Sequence, residues 1–366
     1  WAAFGILLWL PQYRGMLTVP TSFAPLDWHI HEMLYGYVAA AIAGFLLTAI
    51  PNWTGRLPVS GGSLAGLALL WLAGRIAILF SAQIGGTAAA VIDVGFLLTL
   101  AAVTGREIVA GKNWRNLRVL VVVGILVAGN IVFHIEELRS GAANYGIRIG
   151  IGAVILLISL VGGRIVPSFT HNWLTRNNPG RLPIPFSRFD AVTLAVSALA
   201  LAAWVALPDN RLTGAAMVAA AVLQFARLAR WAGDRTLRDR LVLVLHVAYF
   251  FVPLGFLLIG ASDLTTHVPP SAGIHAWTAG AIGLMTLAVM TRATLGHTGQ
   301  PLHAGAVTQT IYACIAVAAV LRIVAACTGS LMLLDLSGAA WIAGFAAFVF
   351  LYGPLLAMRK PAWKAG

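Results

Sequence analysis

Long runs of apolar residues alternate along the chain with short breaks rich in Gly, Pro, Asn and Arg. The runs are about 18–24 residues long, the length an α-helix needs to cross the hydrocarbon core of a bilayer. They predict spans at roughly 1–10 (incomplete), 28–51, 62–81, 86–104, 117–139, 145–169, 190–207, 213–231, 238–260, 272–292, 306–327 and 334–357. A transmembrane β-barrel would instead show segments of about ten residues alternating in polarity, and none is seen. In lipid every backbone amide must be satisfied internally, which a helix does within each span. The expected fold is therefore all-α, a polytopic transmembrane bundle of about twelve spans with no soluble domain. The opening WAAFGILLWL reads as the back half of a span. With no initiator Met and no removable signal peptide, the N-terminus is expected to be truncated.

Composition agrees with the pattern. The chain has 366 residues, 60% hydrophobic and 10% charged, against about a quarter charged in a soluble domain. The formal net charge of +12 would invite a nucleic-acid partner, but its distribution argues otherwise. Basic residues crowd alternate connections: Arg106, Lys112, Arg115 and Arg118; Arg176, Arg181 and Arg188; Arg227, Arg230, Arg235, Arg238 and Arg240; and Arg359, Lys360 and Lys364 at the C-terminus. The intervening loops hold little beyond Arg14, Arg139 and Arg211. This asymmetry places the basic loops and the C-terminus in the cytoplasm, and makes membrane lipid, not nucleic acid, the expected partner. Cys314 and Cys327 lie toward opposite ends of one predicted helix, about 20 Å apart by its rise, too far for a disulfide.

The chain also matches itself. Shifting the second span, HEMLYGYVAAAIAGFLLTAIPNWTG, by 244 residues onto the tenth, HAWTAGAIGLMTLAVMTRATLGHTG, pairs His31 with His275, Gly36 with Gly280, Thr54 with Thr298 and Gly55 with Gly299. A weaker match at a shift of 116 pairs Ile50, Pro51 and Thr54 with Val166, Pro167 and Thr170. Together these predict three four-helix units of one orientation, at 1–113, 114–236 and 237–366. PNWTG and PSFT read as helix exits.

An ionisable residue within a span is a functional hypothesis by default. His29 and His31 open the second span, His134 ends the fifth and His275 opens the tenth, all toward the outer face in this topology, while His246 lies deeper in the ninth. Imidazole is the commonest side-chain ligand for transition metals and haem iron. The bland alternative is that these histidines bond neighbouring helices or sit at the lipid interface. For His31 and His275, related by the repeat, ligation of one haem iron from both sides is the sharper expectation. His29 and His31, two apart, point about 200° from one another and cannot share an ion within a regular helix. Glu32 could orient an imidazole. His171 and His267 read as surface residues, and His297 and His303 as loop or helix-end residues.

Charged residues form a second constellation. Arg75 and Asp93 lie on neighbouring spans, as do Arg322 and Asp335. They read either as structural ion pairs or, for Arg75, Arg148 and Arg322, as partners of haem propionates. There is no P-loop, GxSxG, CxxC or CxxCH, which argues against ATP hydrolysis, a serine hydrolase and c-type haem.

At WHIHEML, GFLLTAIPNWTGR, GGRIVPSFT and GLMTLAVMTRATLGHTG the sequence resembles the NnrS family, over nearly its whole length. That resemblance implies a bacterial inner-membrane protein with haem and copper, associated with denitrification and protection from nitric oxide. It implies metal ligands among His29, His31, His134, His246 and His275. A weaker, architectural likeness is to the catalytic subunit of haem–copper oxidases and nitric oxide reductases. From this the chain departs, lacking the His-x-His of the tenth span and the paired histidines of the seventh. The leading expectation is a haem b and copper protein acting on nitric oxide. His31 and His275 would be axial ligands, copper would be held by some of His29, His134 and His246, and turnover would need an electron-donor protein or quinol. The rivals are a transporter or metal- or haem-delivery protein, and a purely structural subunit. The same orientation of the repeats counts against a transporter, where inverted repeats are common.

Overall fold

A computed structural model describes residues 1–357; the C-terminal basic residues Arg359, Lys360 and Lys364 lie outside them. All regular structure among the described residues is helical. We number the principal helices α1 (Ala2–Tyr13), α2 (Pro25–Thr54), α3 (Gly62–Leu79), α4 (Gly86–Ala110), α5 (Leu117–Ser140), α6 (Tyr145–Asn177), α7 (Arg188–Ala206), α8 (Arg211–Ala229), α9 (Arg240–Leu264), α10 (Pro270–His297), α11 (Ala306–Thr328) and α12 (Leu331–Ala357). Eleven, α2 to α12, are long and apolar enough to cross a membrane, while α1 is a shorter apolar helix of 12 residues. The chain is a multi-pass membrane protein.

Local chemistry sets the ends. At PNWTG, α2 stops where Gly55 takes a left-handed conformation (φ 69°) and its amide bonds the carbonyl of Pro51, as a Gly at that position allows without steric penalty. Ser187 and Asp190 cap α7 reciprocally, and Asp239 accepts from the amides of Leu241 and Val242 at the start of α9. PSFT behaves differently from expectation: α6 runs through Pro167 and on to Asn177. A proline removes one N–H and crowds the carbonyl four residues back, and the remaining ladder carries the helix onward.

Two helices are interrupted in the same way. In α2 an α-helical turn, Pro25–His31, passes into a π-helical stretch, Glu32–Val38, before α-helix resumes at Ala39–Thr54. In α10 the order is Pro270–His275, π-helical Ala276–Gly283, then Leu284–His297. The π-helical stretch begins directly after the repeat-related histidine in each, and such stretches are often found at functional sites.

Contacts divide the chain into two compact units, one of Trp1–Leu157 and one starting at Ile158. Division by contact is coarser than the three units expected from sequence relatedness. Buried aromatic residues Trp28, Tyr35 and Phe133 anchor the first unit; Trp231, Tyr249, Phe256 and Trp277 anchor the second.

Candidate metal centre

In the first unit, α2 to α5 each send polar side chains to one buried point: His31 and Glu32 from α2, Arg75 from α3, Asp93 from α4, and Asn130 with His134 from α5. None is more than 3% exposed. Asn130 and His134 are four apart and so share one face of α5.

Asp93 is the hub. Its Oδ1 accepts from Arg75. Its Oδ2 accepts from Asn130 Nδ2 at 2.9 Å and lies 2.9 Å from His134 Nε2 and 3.2 Å from His31 Nε2. Arg75 also donates to Glu32 Oε1, and that oxygen lies 3.1 Å from His31 Nδ1. Gly36, within the π-helical stretch, makes room: a Cβ there would stand 2.7 Å from Arg75 Nη1.

Glu32 and Asp93, both paired with Arg75, face Nδ1 and Nε2 of His31 respectively as acceptors, so either ring nitrogen can present a proton to a carboxylate. His31 Nε2, Glu32 Oε2 and Asn130 Oδ1 are all buried without a hydrogen-bond partner, as is the donor Arg75 Nε. Buried polar groups are ordinarily satisfied, and a cation between the acceptors would satisfy these.

The spacing fits such an ion. One atom each of His31, Asp93 and His134 lies within 4.8 Å of the others. Ligands about 2.0–2.2 Å from a first-row metal stand about 3 Å apart, comparable to the 2.9 and 3.2 Å observed. Two imidazoles and a carboxylate suit zinc, copper or iron, and Glu32 behind His31 supplies the carboxylate–histidine–metal relay typical of such sites.

Aromatic rings close the cluster. Phe133 lies 5.0 Å from the His31 ring, and Phe23 and Tyr35 each 5.5 Å. Phe23 also lies 5.9 Å from His134. The Tyr35 hydroxyl donates to the Gly146 carbonyl at 2.6 Å.

The other expected residues lie elsewhere. His29 stacks on Trp9 at 4.1 Å, on another side of α2 from His31 as the two-residue spacing requires. His246, in the second unit, bonds Thr170 Oγ1 through Nε2 at 2.8 Å, and its Nδ1 is buried without a hydrogen-bond partner. Among the described residues His246 joins no group of three metal-ligating side chains. His275 Nδ1 lies 2.6 Å from the Ser271 carbonyl. That carbonyl can only accept, so the Nε2 of His275 carries the lone pair, the tautomer a metal ligand needs. Arg148 lies over the Tyr145 ring at 4.9 Å; Arg322 is half-buried and Asp335 exposed. Cys314 and Cys327 are both free.

Sequence reasoning marked His31, His134 and Glu32 for this chemistry, but treated Asp93 only as the partner of Arg75 and passed over Asn130, Tyr35 and Phe23. The one available signal was the i, i+4 spacing of Asn130 and His134. Comparison with curated proteins finds no match. The family model described as NnrS protein matches residues 1–360, essentially the whole length over which the motifs and the cluster are distributed, and the chain therefore belongs to the NnrS family.

Proposed function

We propose that this membrane protein binds copper at His31, Asp93 and His134 and haem b through His275, and acts on nitric oxide or its derivatives in protection from nitrosative stress. Family membership supports the link to nitric oxide. The observation that carries the copper reading is His31 Nε2, buried without a hydrogen bond 3.2 Å from Asp93 Oδ2 in a cluster with His134.

For haem the cluster itself is a poor fit. His31 is fully buried, both its nitrogens face carboxylates, and rings enclose it at 5.0–5.5 Å. A porphyrin on His31 would have to displace Asp93 and the surrounding rings. His275, with its Nδ1 2.6 Å from the Ser271 carbonyl, suits axial ligation, and Arg322 of the same unit is the candidate partner of a propionate. Arg75 is engaged by Glu32 and Asp93.

When bound, the metals would supply open coordination positions and one-electron chemistry. The chain's own residues do the rest. Arg75 holds Asp93 and Glu32 in place, Glu32 orients the His31 ring through Nδ1, and Phe23, Phe133 and Tyr35 exclude water. Nitric oxide, small and uncharged, can arrive through lipid. We read the basic loops and the C-terminus as cytoplasmic from the charge asymmetry and the membrane as the bacterial inner membrane, where an electron-donor protein or quinol could serve the site.

The test is a reduced-minus-oxidised visible spectrum of detergent-purified protein, with metal analysis and nitric oxide added to the same sample. A b-type band, near-stoichiometric iron and copper, and a shift on adding nitric oxide are expected. A featureless spectrum from folded, metal-replete protein would overturn the reading in favour of a transporter or delivery protein.

A further inference from the structure

We infer that the second unit binds an anionic phospholipid where its basic loops gather, with Arg292 on the headgroup phosphate and the arginines of two joined loops around it. Arg292 lies in the last two turns of α10 and is half-buried. Its guanidinium stacks on the Phe169 ring of α6 at 4.0 Å. Among the described residues it makes no hydrogen bond or ion pair. A guanidinium has five N–H donors, and a charge inside a spanning helix ordinarily finds a partner. The neighbouring residue, Thr291, bonds the Tyr312 hydroxyl of α11, which holds this end of α10 in place.

The connections from α6 to α7 and from α8 to α9 are welded to one another. Arg235 Nη2 donates to the carbonyls of Asn178 and Pro179 at 2.9 and 3.0 Å, and Nη1 to that of Arg181. Gly180, at φ 139°, leaves room for this, since a Cβ there would stand 2.8 Å from Arg235 Nη2. Arg181 pairs with Asp234, the Ile184 amide bonds the Arg230 carbonyl at 3.0 Å, and Arg230 donates to Ser187 Oγ at 2.9 Å. His246 ties this platform to the Arg292 site: a Cβ on Gly233 would stand 2.5 Å from its Nδ1, and its Nε2 bonds Thr170, the residue after Phe169. Arg188 and Arg240, which open α7 and α9, and Arg238 are exposed and make no ion pair among the described residues. Phe186 and Leu237, close to them in sequence, are exposed as well. Charge asymmetry across a membrane requires only net positive loops, not loops locked in place or a half-buried arginine stacked on a ring. A guanidinium fork matches a phosphate, aromatic and apolar side chains at helix ends suit the interface, and basic clusters beside spans hold anionic headgroups. A soluble acidic partner would meet the loops, whereas Arg292 lies within a spanning helix, open to a lipid.

The experiment delipidates the full chain in mild detergent and offers it phosphatidylglycerol or phosphatidylcholine. Bound lipid is counted by native mass spectrometry, and thermal unfolding is followed on the same samples. Wild type should retain phosphatidylglycerol in preference and unfold at a higher temperature with it. Arg292→Gln should reduce the preference about fivefold, the factor for one arginine near an anionic surface. Arg292→Lys, which keeps the charge but loses the fork, should fall between the two. Arg238→Gln combined with Arg240→Gln should also lower it, while Arg139→Gln, at the opposite end of its span in the charge-derived topology, should not. Should Arg292→Gln fail to fold, Arg292→Lys and the double variant carry the test. Equal retention of both lipids by wild type, an unchanged preference in Arg292→Gln, or an equal fall in Arg139→Gln would overturn the inference. Glycerol phosphate should not stabilise wild type; stabilisation equal to that by the lipid would make this a free-phosphate site and sink the lipid assignment.

Discussion

Asp93 joins α4 to its neighbours through four partners: Arg75, Asn130, His134 and His31. Asp93→Asn keeps the shape of the side chain but removes the charge, and is expected to abolish stoichiometric copper, as is His134→Ala. Metal analysis of folded variants checks both, with retained copper the contrary result. Glu32→Gln should be milder, weakening binding about 10–100-fold, the usual effect of losing a group that supports a ligand. At this scale the sequence was informative wherever a residue type was costly in lipid, as with His31, His134, Arg75 and Asp93. It was silent on Asn130 and Phe23, because an amide or phenyl ring in an apolar run carries no such cost and gains its role only from what it meets.

Among the elements, the π-helical stretches after His31 and His275 show how a local departure from α-helix can accompany a site. The connection from α1 to α2 has a second role. Ser22 donates from its amide and hydroxyl to Ser81 Oγ at 2.8 and 3.0 Å, and Thr21 Oγ1 lies 3.1 Å from the same oxygen. This latch seats the next residue, Phe23, over both histidines. Phe23→Ala, and more mildly Ser81→Ala, should let a water-soluble chelator remove bound copper several-fold faster without changing how much is bound. Equal extraction rates in wild type and Phe23→Ala would show that the ring does not limit access. Hydrophobic periodicity placed the helices well, but could not show that α6 continues through PSFT to Asn177. Whether a proline ends a helix depends on what the following residues pack against.

For the molecule as a whole, each unit contains its own buried polar network. In the second, Arg227 bonds Asp190 at 3.0 Å, the Ser159 carbonyl at 2.9 Å and the Tyr249 hydroxyl at 3.0 Å; Tyr249 in turn donates to Gln224, and Gln224 to Ser197. Arg227 is fully buried, so Asp190→Asn should destabilise the protein by about 3–5 kcal/mol, the cost of stranding one partner of a buried pair. Thermal unfolding in detergent measures this, and because the cluster of the first unit shares none of these residues, metal content per folded molecule should not change. Topology is testable on the same scale. Single cysteines near Lys112 and Arg235 should resist a membrane-impermeant thiol reagent applied from outside, while one near Arg139 should react; the reverse pattern would invert the orientation read from the charges.

The sequence by itself determined that this is a multi-pass helical membrane protein of the NnrS family, and which costly side chains lie within its helices. Both follow from local chemistry: bilayer thickness dictates the length of an apolar run, and a motif is carried by contiguous residues. Only the tertiary structure decided that His31 meets Asp93 and His134, that Glu32 and Arg75 both belong to that cluster, and that His29 and His246 do not. Those outcomes depend on the rotation of each helix about its axis and on the packing of α2 to α5 against one another. Helix rotation is weakly encoded where all faces of a helix are apolar, and it is settled by the few buried polar groups that must find one another.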